Sequence, residues 1–370
     1  MSDSVERYMS RALSLAQKGE GRTAPNPPVG AVIVRDGEII GEGYHPKAGE
    51  PHAEIFALQQ AGRLVRGSDL YVTLEPCSHQ GKTGPCADAV IAAGIKKVFV
   101  GVQDPNPQVA GHGIERLRAA GIEVTRGVQE DECRRLIAPF TRHILSGMPY
   151  TIYKTAMTLD GKTATATGDS KWISGESSRL EVHRLRSKVE AIMVGIETVL
   201  QDDPHLNTRL PEGGRDPLRV VVDSQLRMPE TAAMLSQNSV AKTLIATTAA
   251  ADEALRQKLE LVGAEIVVLP EEEGRVSLSK LWLELGRRNV QTLLLEGGAT
   301  LAASALRQCL IDRMMVFVAP KMIGGDSEYG IFRGDGCQQI MDAPKLDDIR
   351  LERYDEDLLI CGEVVKCSPD

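Results

Sequence analysis

Residues 70–94 read LYVTLEPCSHQGKTGPCADAVIAAG. A β-rich apolar run reaches Pro76-Cys77, crosses a small polar loop, and leaves through Pro85-Cys86 into a run with helical character. Strand, loop and helix in that order make this an α/β chain. Two thiols nine positions apart in such a loop are either a disulfide staple or metal ligands. The chain carries seven cysteines, unevenly scattered and odd in number, which suits a reducing compartment and weakens the staple. If the two are ligands, a third ligand and a catalytic group should lie elsewhere.

Both are found in PHAEIFALQQAG (51–62), where His52 opens a helix and Glu54 follows two residues later. His-x-Glu followed by two Pro-Cys pairs has the ingredients of a zinc-deaminase signature. Three ligands, His52, Cys77 and Cys86, leave one tetrahedral position open for water, as catalytic zinc requires. Cys86 is expected at a helix N-terminus, which favours its thiolate. Glu54, at i+2 from His52, does not share its helical face and is read as the proton carrier between water and a departing amine. His45 and His79 are rival third ligands, but neither has a carboxylate two residues on. A lone histidine is more often core and a lone cysteine pair more often inert, so the joint pattern carries the reading.

At 370 residues, two domains are expected. The net charge of −8 and an aromatic content of only 4% argue against a nucleic-acid groove with stacking platforms. No apolar run reaches bilayer length, and the amphipathic, acidic N-terminal helix has no cleavage pattern, so a cytoplasmic protein without membrane contact is expected. Asp36-Gly37 in AVIVRDGEIIGEGYH (31–45) signals a hairpin. DECRRLIAPFTRHILSG (131–147) reads as one last helix of the first half, ended by Gly147 and Pro149, which puts the domain boundary between 147 and 148. The second half repeats the α/β alternation. In TLLLEGGATLAASALRQ (292–308) a strand, a Gly-Gly turn and a helix offer free N–H groups and Thr300 to a phosphate, and AIMVGIETVLQDD (191–203) is a similar turn. Neither is GxGxxG or a Walker loop, and a plain tight turn explains each equally well.

Eight residues separate the two cysteines, whereas cytidine, deoxycytidylate and transfer-RNA adenosine deaminases resemble a two-residue version. TAPNPPVGAVIV (23–34), GEPHAEIFAL (49–58), YVTLEPCSHQGKTGPC (71–86) and VQDPNPQVAGHGI (102–114) resemble the deaminase half of the bifunctional riboflavin-biosynthesis enzymes. These are the diaminohydroxyphosphoribosylaminopyrimidine deaminase / 5-amino-6-(5-phosphoribosylamino)uracil reductases. Gly84 stands where that family often has another proline. TAMTLDGKTATATGDSKWISG (155–175), VGIETVLQDDPHLNTR (194–209), RVVVDSQLRMP (219–229), LLLEGGATLAASAL (293–306) and APKMIGG (319–325) resemble the reductase half.

The resemblance implies a cytidine-deaminase-like α/β/α domain over 1–147, followed by a dihydrofolate-reductase-like α/β domain over 148–370. One Zn2+ per chain and NADPH are the implied cofactors. Asn26 would orient the pyrimidine, although an Asn-Pro turn is its plain alternative. NADPH would lie along Ala156, Trp172, Thr198, Asp202, Ser224 and the run Gly298, Ala299, Thr300, Leu301, Ala302, Ala303 and Ser304. Substrate would meet Ser170, Arg186, Leu206, Arg209 and Glu296, the arginines suiting a sugar phosphate. Lys154, Asp202 and Glu296 are open alternatives for the reductase proton donor, and Arg227 is a candidate partner for a 2′-phosphate. The expected reaction is hydrolysis of the pyrimidine amine, with water activated at zinc, and then reduction of the ribosyl chain. A homo-oligomer, a dimer or larger, is expected because such domains commonly assemble. Two other readings are a nucleoside- or nucleic-acid-editing zinc deaminase fused to an unrelated reductase-like domain, and a binding protein with a closed structural metal. The first wants a basic face and short cysteine spacing; the second wants a fourth protein ligand and no carboxylate.

Overall fold

The computed structural model describes residues 3–79, 84–325 and 329–365. It divides into two compact units, Met1–Gly147 and Met148–Asp370. No described helix is long and apolar enough to cross a membrane.

In the first unit α1 (Asp3–Ala16) precedes the hairpin β1 (Gly30–Arg35) and β2 (Glu38–Tyr44). Asp36 and Gly37 both take positive φ, 52° and 83°, which the twist of a tight hairpin demands. Then follow α2 (Ala53–Ala61), β3 (Asp69–Leu74), α3 (Cys86–Ala93), β4 (Lys97–Val102), α4 (His112–Ala119) and β5 (Glu123–Arg126). The sheet order is β2-β1-β3-β4-β5, with β1 antiparallel to both β2 and β3 and the remaining pairs parallel. Successive strand residues point to opposite faces. Ile33, Leu70, Val72 and Val98 pack under α2, α3 and α4, while Val32, Val34, Tyr71 and Val102 pack on α1 and the far side. That alternation gives the α/β/α layering.

The single helix expected over 131–147 is two, α5 (Glu130–Leu136) and α6 (Ala138–Ser146). Pro139 sits in the first turn of α6; it has no N–H to donate and its ring clashes with the carbonyl four residues back, so the helix restarts there. Residues 80–83, the middle of the expected cysteine loop, lie outside the described residues.

The second unit contains β6 (Tyr150–Thr158), α7 (Glu176–Lys188), β7 (Ala191–Gly195), α8 (Ile196–Asp202), β8 (Leu218–Val222), α9 (Ala233–Ser236), β9 (Thr243–Thr247), α10 (Glu253–Leu261) and β10 (Ala264–Val268). A small hairpin, β11 (Glu271–Glu272) and β12 (Arg275–Val276), precedes α11 (Leu278–Arg287), β13 (Thr292–Leu295), α12 (Ala299–Arg307), β14 (Arg313–Ala319), β15 (Lys345–Tyr354) and β16 (Asp357–Val365). The large sheet runs β10-β9-β8-β7-β13-β6-β14-β16-β15, parallel from β10 to β14, with β16 and β15 added antiparallel. Buried Val, Ile and Leu on its central strands pack on Leu281, Trp282 and Leu285 of α11 and on Ala302 and Ala305 of α12. β15, KLDDIRLERY, has too few apolar positions to read as a strand by itself; it forms by pairing along β16 at the sheet edge.

Candidate metal centre and cofactor cleft

In the first unit β2 and α2 approach so closely that a Cβ on Gly43 would lie 2.2 Å from the Ala53 carbonyl oxygen. This contact sets the start of α2, and with it His52 at the N-cap and Glu54 in the first turn. Cys77 follows the end of β3, and Cys86 is the first residue of α3. His52 Nδ1 lies 3.6 Å from Cys77 Sγ and 3.3 Å from Cys86 Sγ, and the Cys86 main-chain N–H donates to Cys77 Sγ at 3.3 Å. Both cysteines are free thiols, so the staple reading falls.

The three donor atoms lie within 4.8 Å of one another, and no fourth His, Cys, Asp or Glu among the described residues joins them. One imidazole and two sulfurs converging with an open side are the donor set that fits a catalytic zinc. Hydrogen bonding from Cys86, then from His52, brings Cys77 down to about 4, while Cys86, holding the shared proton beside that sulfur, is pushed up. A group that replaces the proton between them relieves this conflict. Glu54 is 3% exposed; burial, then the negative Cys77 sulfur, raises its carboxyl to about 7. A carboxyl near neutrality can both take and give a proton at working pH.

Two neighbours of the metal centre have positioning roles, and one of them is a rival ligand by sequence. His45 is not a ligand: its Nδ1 meets the Pro51 carbonyl at 3.1 Å, and Nε2 meets Asn26 Nδ2 at 3.1 Å. A carbonyl only accepts, so Nδ1 carries the hydrogen, Nε2 accepts from the Asn26 amide, and Asn26 Oδ1 stays available as an acceptor. His45 thereby fixes which way Asn26 points. Glu75, 4% exposed, accepts the main-chain N–H groups of Asp104 (3.2 Å), Gly111 (2.9 Å) and Ile114 (3.1 Å), which ties the 102–114 motif to the cysteine loop. Only spatial contact reveals either role.

In the second unit the ends of β7, β8 and β13 open into a cavity of about 1280 Å³. Of the residues expected along NADPH, Thr198, Ser224, Gly298, Ala299, Thr300, Leu301 and Ser304 line it. Ala302 and Ala303 instead are buried, at 0% and 8% exposure, because at about 3.6 residues per turn a helix presents only one stripe to any one surface. Ala156 on β6, Trp172 and Asp202 are not among the lining residues. Trp172 is 63% exposed with the Arg179 guanidinium 4.7 Å from its ring centre, and Asp202 is exposed at the end of α8. A Cβ on Gly297 would lie 3.0 Å from Thr198 Oγ1, so a side chain there would press on α8 and glycine lets the turn lie close against it. Gly298 (φ 79°) then opens α12, whose first residues, Ala299, Thr300 and Leu301, line the cavity.

Beside the cavity Glu296 and Arg186 form a two-pronged pair, Nε to Oε1 and Nη2 to Oε2 both at 2.7 Å, with the side chains 8% and 12% exposed. Arg186 Nη1 also donates to the Asn207 carbonyl at 3.1 Å, so Arg186 is committed within the protein. Burial alone would raise Glu296; the guanidinium overrides it and holds the carboxyl below the usual range. Burial pushes the Lys154 ammonium down against the pull of Glu296. Arg209 is exposed and bonded to Asn207 Oδ1 at 2.8 Å; Leu206 is buried, and Ser170 is half-buried.

His183 on α7 accepts the Arg209 main-chain N–H at 3.3 Å; burial first, then the charges of Arg186 and Arg209, lower it from 6.5 to about 4. Between those values the unfolded chain takes up a proton that the folded chain refuses, so stability falls as pH drops from about 6.5 to about 4. Urea midpoints across that range should show the slope in the parent and a flatter profile in His183→Asn. An identical slope in both would remove His183 as its source.

A family model of the cytidine and deoxycytidylate deaminase zinc-binding region matches residues 2–102, and one of the RibD C-terminal domain matches residues 149–360. The riboflavin biosynthesis protein RibD of Actinobacillus pleuropneumoniae is 45% identical over 98% of this chain and 95% of its own length. That of Escherichia coli K12 is 43% identical over 93% and 96%. Among solved structures, Acinetobacter baumannii RibD superposes with a TM-score of 0.85 at 38% identity, covering 98% of this chain and 99% of that one. A Thermotoga maritima diaminohydroxyphosphoribosylaminopyrimidine deaminase / 5-amino-6-(5-phosphoribosylamino)uracil reductase gives 0.84 at 36%, with the same coverage.

Proposed function

This chain belongs to the RibD family of riboflavin-biosynthesis deaminase/reductases, and we propose that its two units act in turn on one phosphoribosyl pyrimidine. The first hydrolyses the amino group of 2,5-diamino-6-(5-phosphoribosylamino)pyrimidin-4(3H)-one, water adding oxygen as ammonia leaves. The second reduces the ribosyl chain with NADPH to give 5-amino-6-(5-phosphoribitylamino)uracil. The observation that carries the reading is the convergence of His52, Cys77 and Cys86 on one open point with buried Glu54 alongside.

In the deaminase unit the three side chains would hold zinc, which supplies a Lewis acid that makes water acidic. Glu54 accepts the proton of the attacking water and passes it to the departing amine. Asn26, oriented by His45, offers Oδ1 to a ring N–H of the pyrimidine. The nucleic-acid-editing alternative is disfavoured by the acidic balance and the eight-residue cysteine gap.

In the reductase unit NADPH supplies the hydride. The N-terminus of α12, with Thr300, lines the cavity and would hold the cofactor's diphosphate. Both Glu296 oxygens are engaged by Arg186, so Glu296 remains an acceptor; Lys154, with its proton loosened by burial, is the donor we assign to the reduced imine. Arg209, with only Nη1 engaged by a side chain, is the arginine left for the sugar phosphate. We place the enzyme in the cytoplasm as a homo-oligomer acting on a small molecule. The purified protein should contain one zinc per chain, release one ammonia per substrate, and then consume one NADPH. Ammonia release from metal-stripped protein, or no NADPH consumption after deamination, would overturn the corresponding half.

A further inference from the structure

The cleft in the second unit has a direction. Lys154 stands on β6, Glu296 follows β13, and the phosphate-binding start of α12 follows β13 as well. In the order β8-β7-β13-β6, the reacting end belongs at β6, and the far wall is the loop after β8, two strands beyond β13. Neighbouring strands stand about 4.8 Å apart, so that wall lies on the order of 10 Å from the diphosphate site. A cofactor held across these strand ends would bring its adenosine ribose toward Ser224, which lines the cavity at that wall.

Two rigid pieces meet there. Leu226 and Met228 are buried, with the Met228 N–H on Asp223 Oδ2 at 2.9 Å, while Gln225 and Arg227, which alternate with them, line the cavity. The hairpin β11–β12, closed by Glu273 and Gly274 at φ 53° and 74°, is pinned to the same loop through the Val276 N–H on Ser224 Oγ at 3.0 Å. Of the carboxylates that line this end, Glu197 is engaged by Arg227 Nη2 at 2.7 Å and Glu272 by Ser277 Oγ at 2.5 Å. Arg275, exposed on β12, lines the cavity and has no hydrogen-bond or ion-pair partner among the described side chains. Asp223, an acidic residue at a strand end of the kind that elsewhere binds a ribose 2′-hydroxyl, is 0% exposed and out of reach.

We propose that Arg275, assisted by Arg227, recognises the 2′-phosphate of the adenosine half of the cofactor and so sets the preference for NADPH over NADH. A guanidinium fork without a side-chain partner among the described residues, on a hairpin pinned to the Ser224 loop, matches the oxygens of a phosphate monoester. Arg227 contributes less because Glu197 already shares its charge. This inference rests on the reductase reading above.

The test is calorimetric binding of 2′,5′-ADP and of 5′-AMP, which differ only in the 2′-phosphate, to the full-length protein. The parent should prefer 2′,5′-ADP. Arg275→Gln should weaken 2′,5′-ADP roughly tenfold or more and leave 5′-AMP unchanged, with a smaller loss in Arg227→Gln. Equal affinity of parent and Arg275→Gln for 2′,5′-ADP overturns the assignment. Equal weakening of both nucleotides also overturns it, because Arg275 would then read the 5′-phosphate. If the parent binds neither nucleotide, the reductase reading itself fails and the inference with it.

Discussion

Replacing Glu54 with Gln is expected to stop ammonia release while leaving zinc in place. The substitution keeps the size and shape of a side chain that is 3% exposed, so no cavity opens around it. It removes the ability to accept a proton. In the folded protein burial has already raised this carboxyl to about 7, where taking a proton from water and returning it to an amine are both feasible. Loss of a positioned general acid–base typically slows a reaction by about 10²- to 10⁴-fold. Glu54 is not among the three convergent donors, so metal content should stay at the parent's level. The deaminated substrate, supplied directly, should still be reduced with NADPH at the parent rate. Ammonia release above about a tenth of the parent's would show that some other group moves the proton. Loss of zinc together with activity would instead make Glu54 a ligand.

The metal centre was legible in the sequence because its chemistry fixes residue types at points the backbone fixes too. His52 must open a helix, Cys77 must follow a strand, Cys86 must start a helix, and local patterns reveal all three. The Asp36-Gly37 turn was legible for the same reason, since two positive φ values in succession leave few residue choices. Contacts across long stretches of chain were not. Arg186 reads as a free cation on a charged helix, yet its carboxylate partner lies 110 residues away. His45 reads as a spare ligand until Asn26, 19 residues earlier, is seen against its ring. Within the run 298–304, residues 298–301 and Ser304 line the cavity while Ala302 and Ala303 are buried, a division that the sequence by itself does not show. The β11–β12 hairpin, with two residues per strand, gives no periodic signal at all, and it carries Arg275.

That distant pair should yield the largest change in stability. Glu296→Ala leaves the Arg186 guanidinium buried and without its carboxylate, a change that typically costs about 3–5 kcal/mol. In a unit of this size that corresponds to a fall in Tm of roughly 10 °C. The structural reason is reciprocal: both Glu296 oxygens and two of the three Arg186 nitrogens are used within the pair, and the third nitrogen is already committed to the Asn207 carbonyl. Arg186→Lys keeps the charge but not the fork and should fall between parent and Glu296→Ala. The carboxyl is held below its usual range of about 4.5, so its contribution is complete above that pH and is lost as pH falls through the lowered value. Parent and Glu296→Ala should therefore converge only in strong acid. The double variant Arg186→Met with Glu296→Leu replaces two charges with apolar groups of similar volume, and such exchanges are neutral or stabilising by about 1–4 kcal/mol. It should recover the lost Tm. A Glu296→Ala variant within about 2 °C of the parent by calorimetry would mean that water reaches Arg186 and that the pair is not desolvated. NADPH consumption should be lost in both Glu296→Ala and the double variant, while ammonia release persists in each. Stability regained without reduction regained would separate the proposed work of the carboxylate on the substrate from its part in holding α7 to the sheet, which loss of activity in a single variant cannot do.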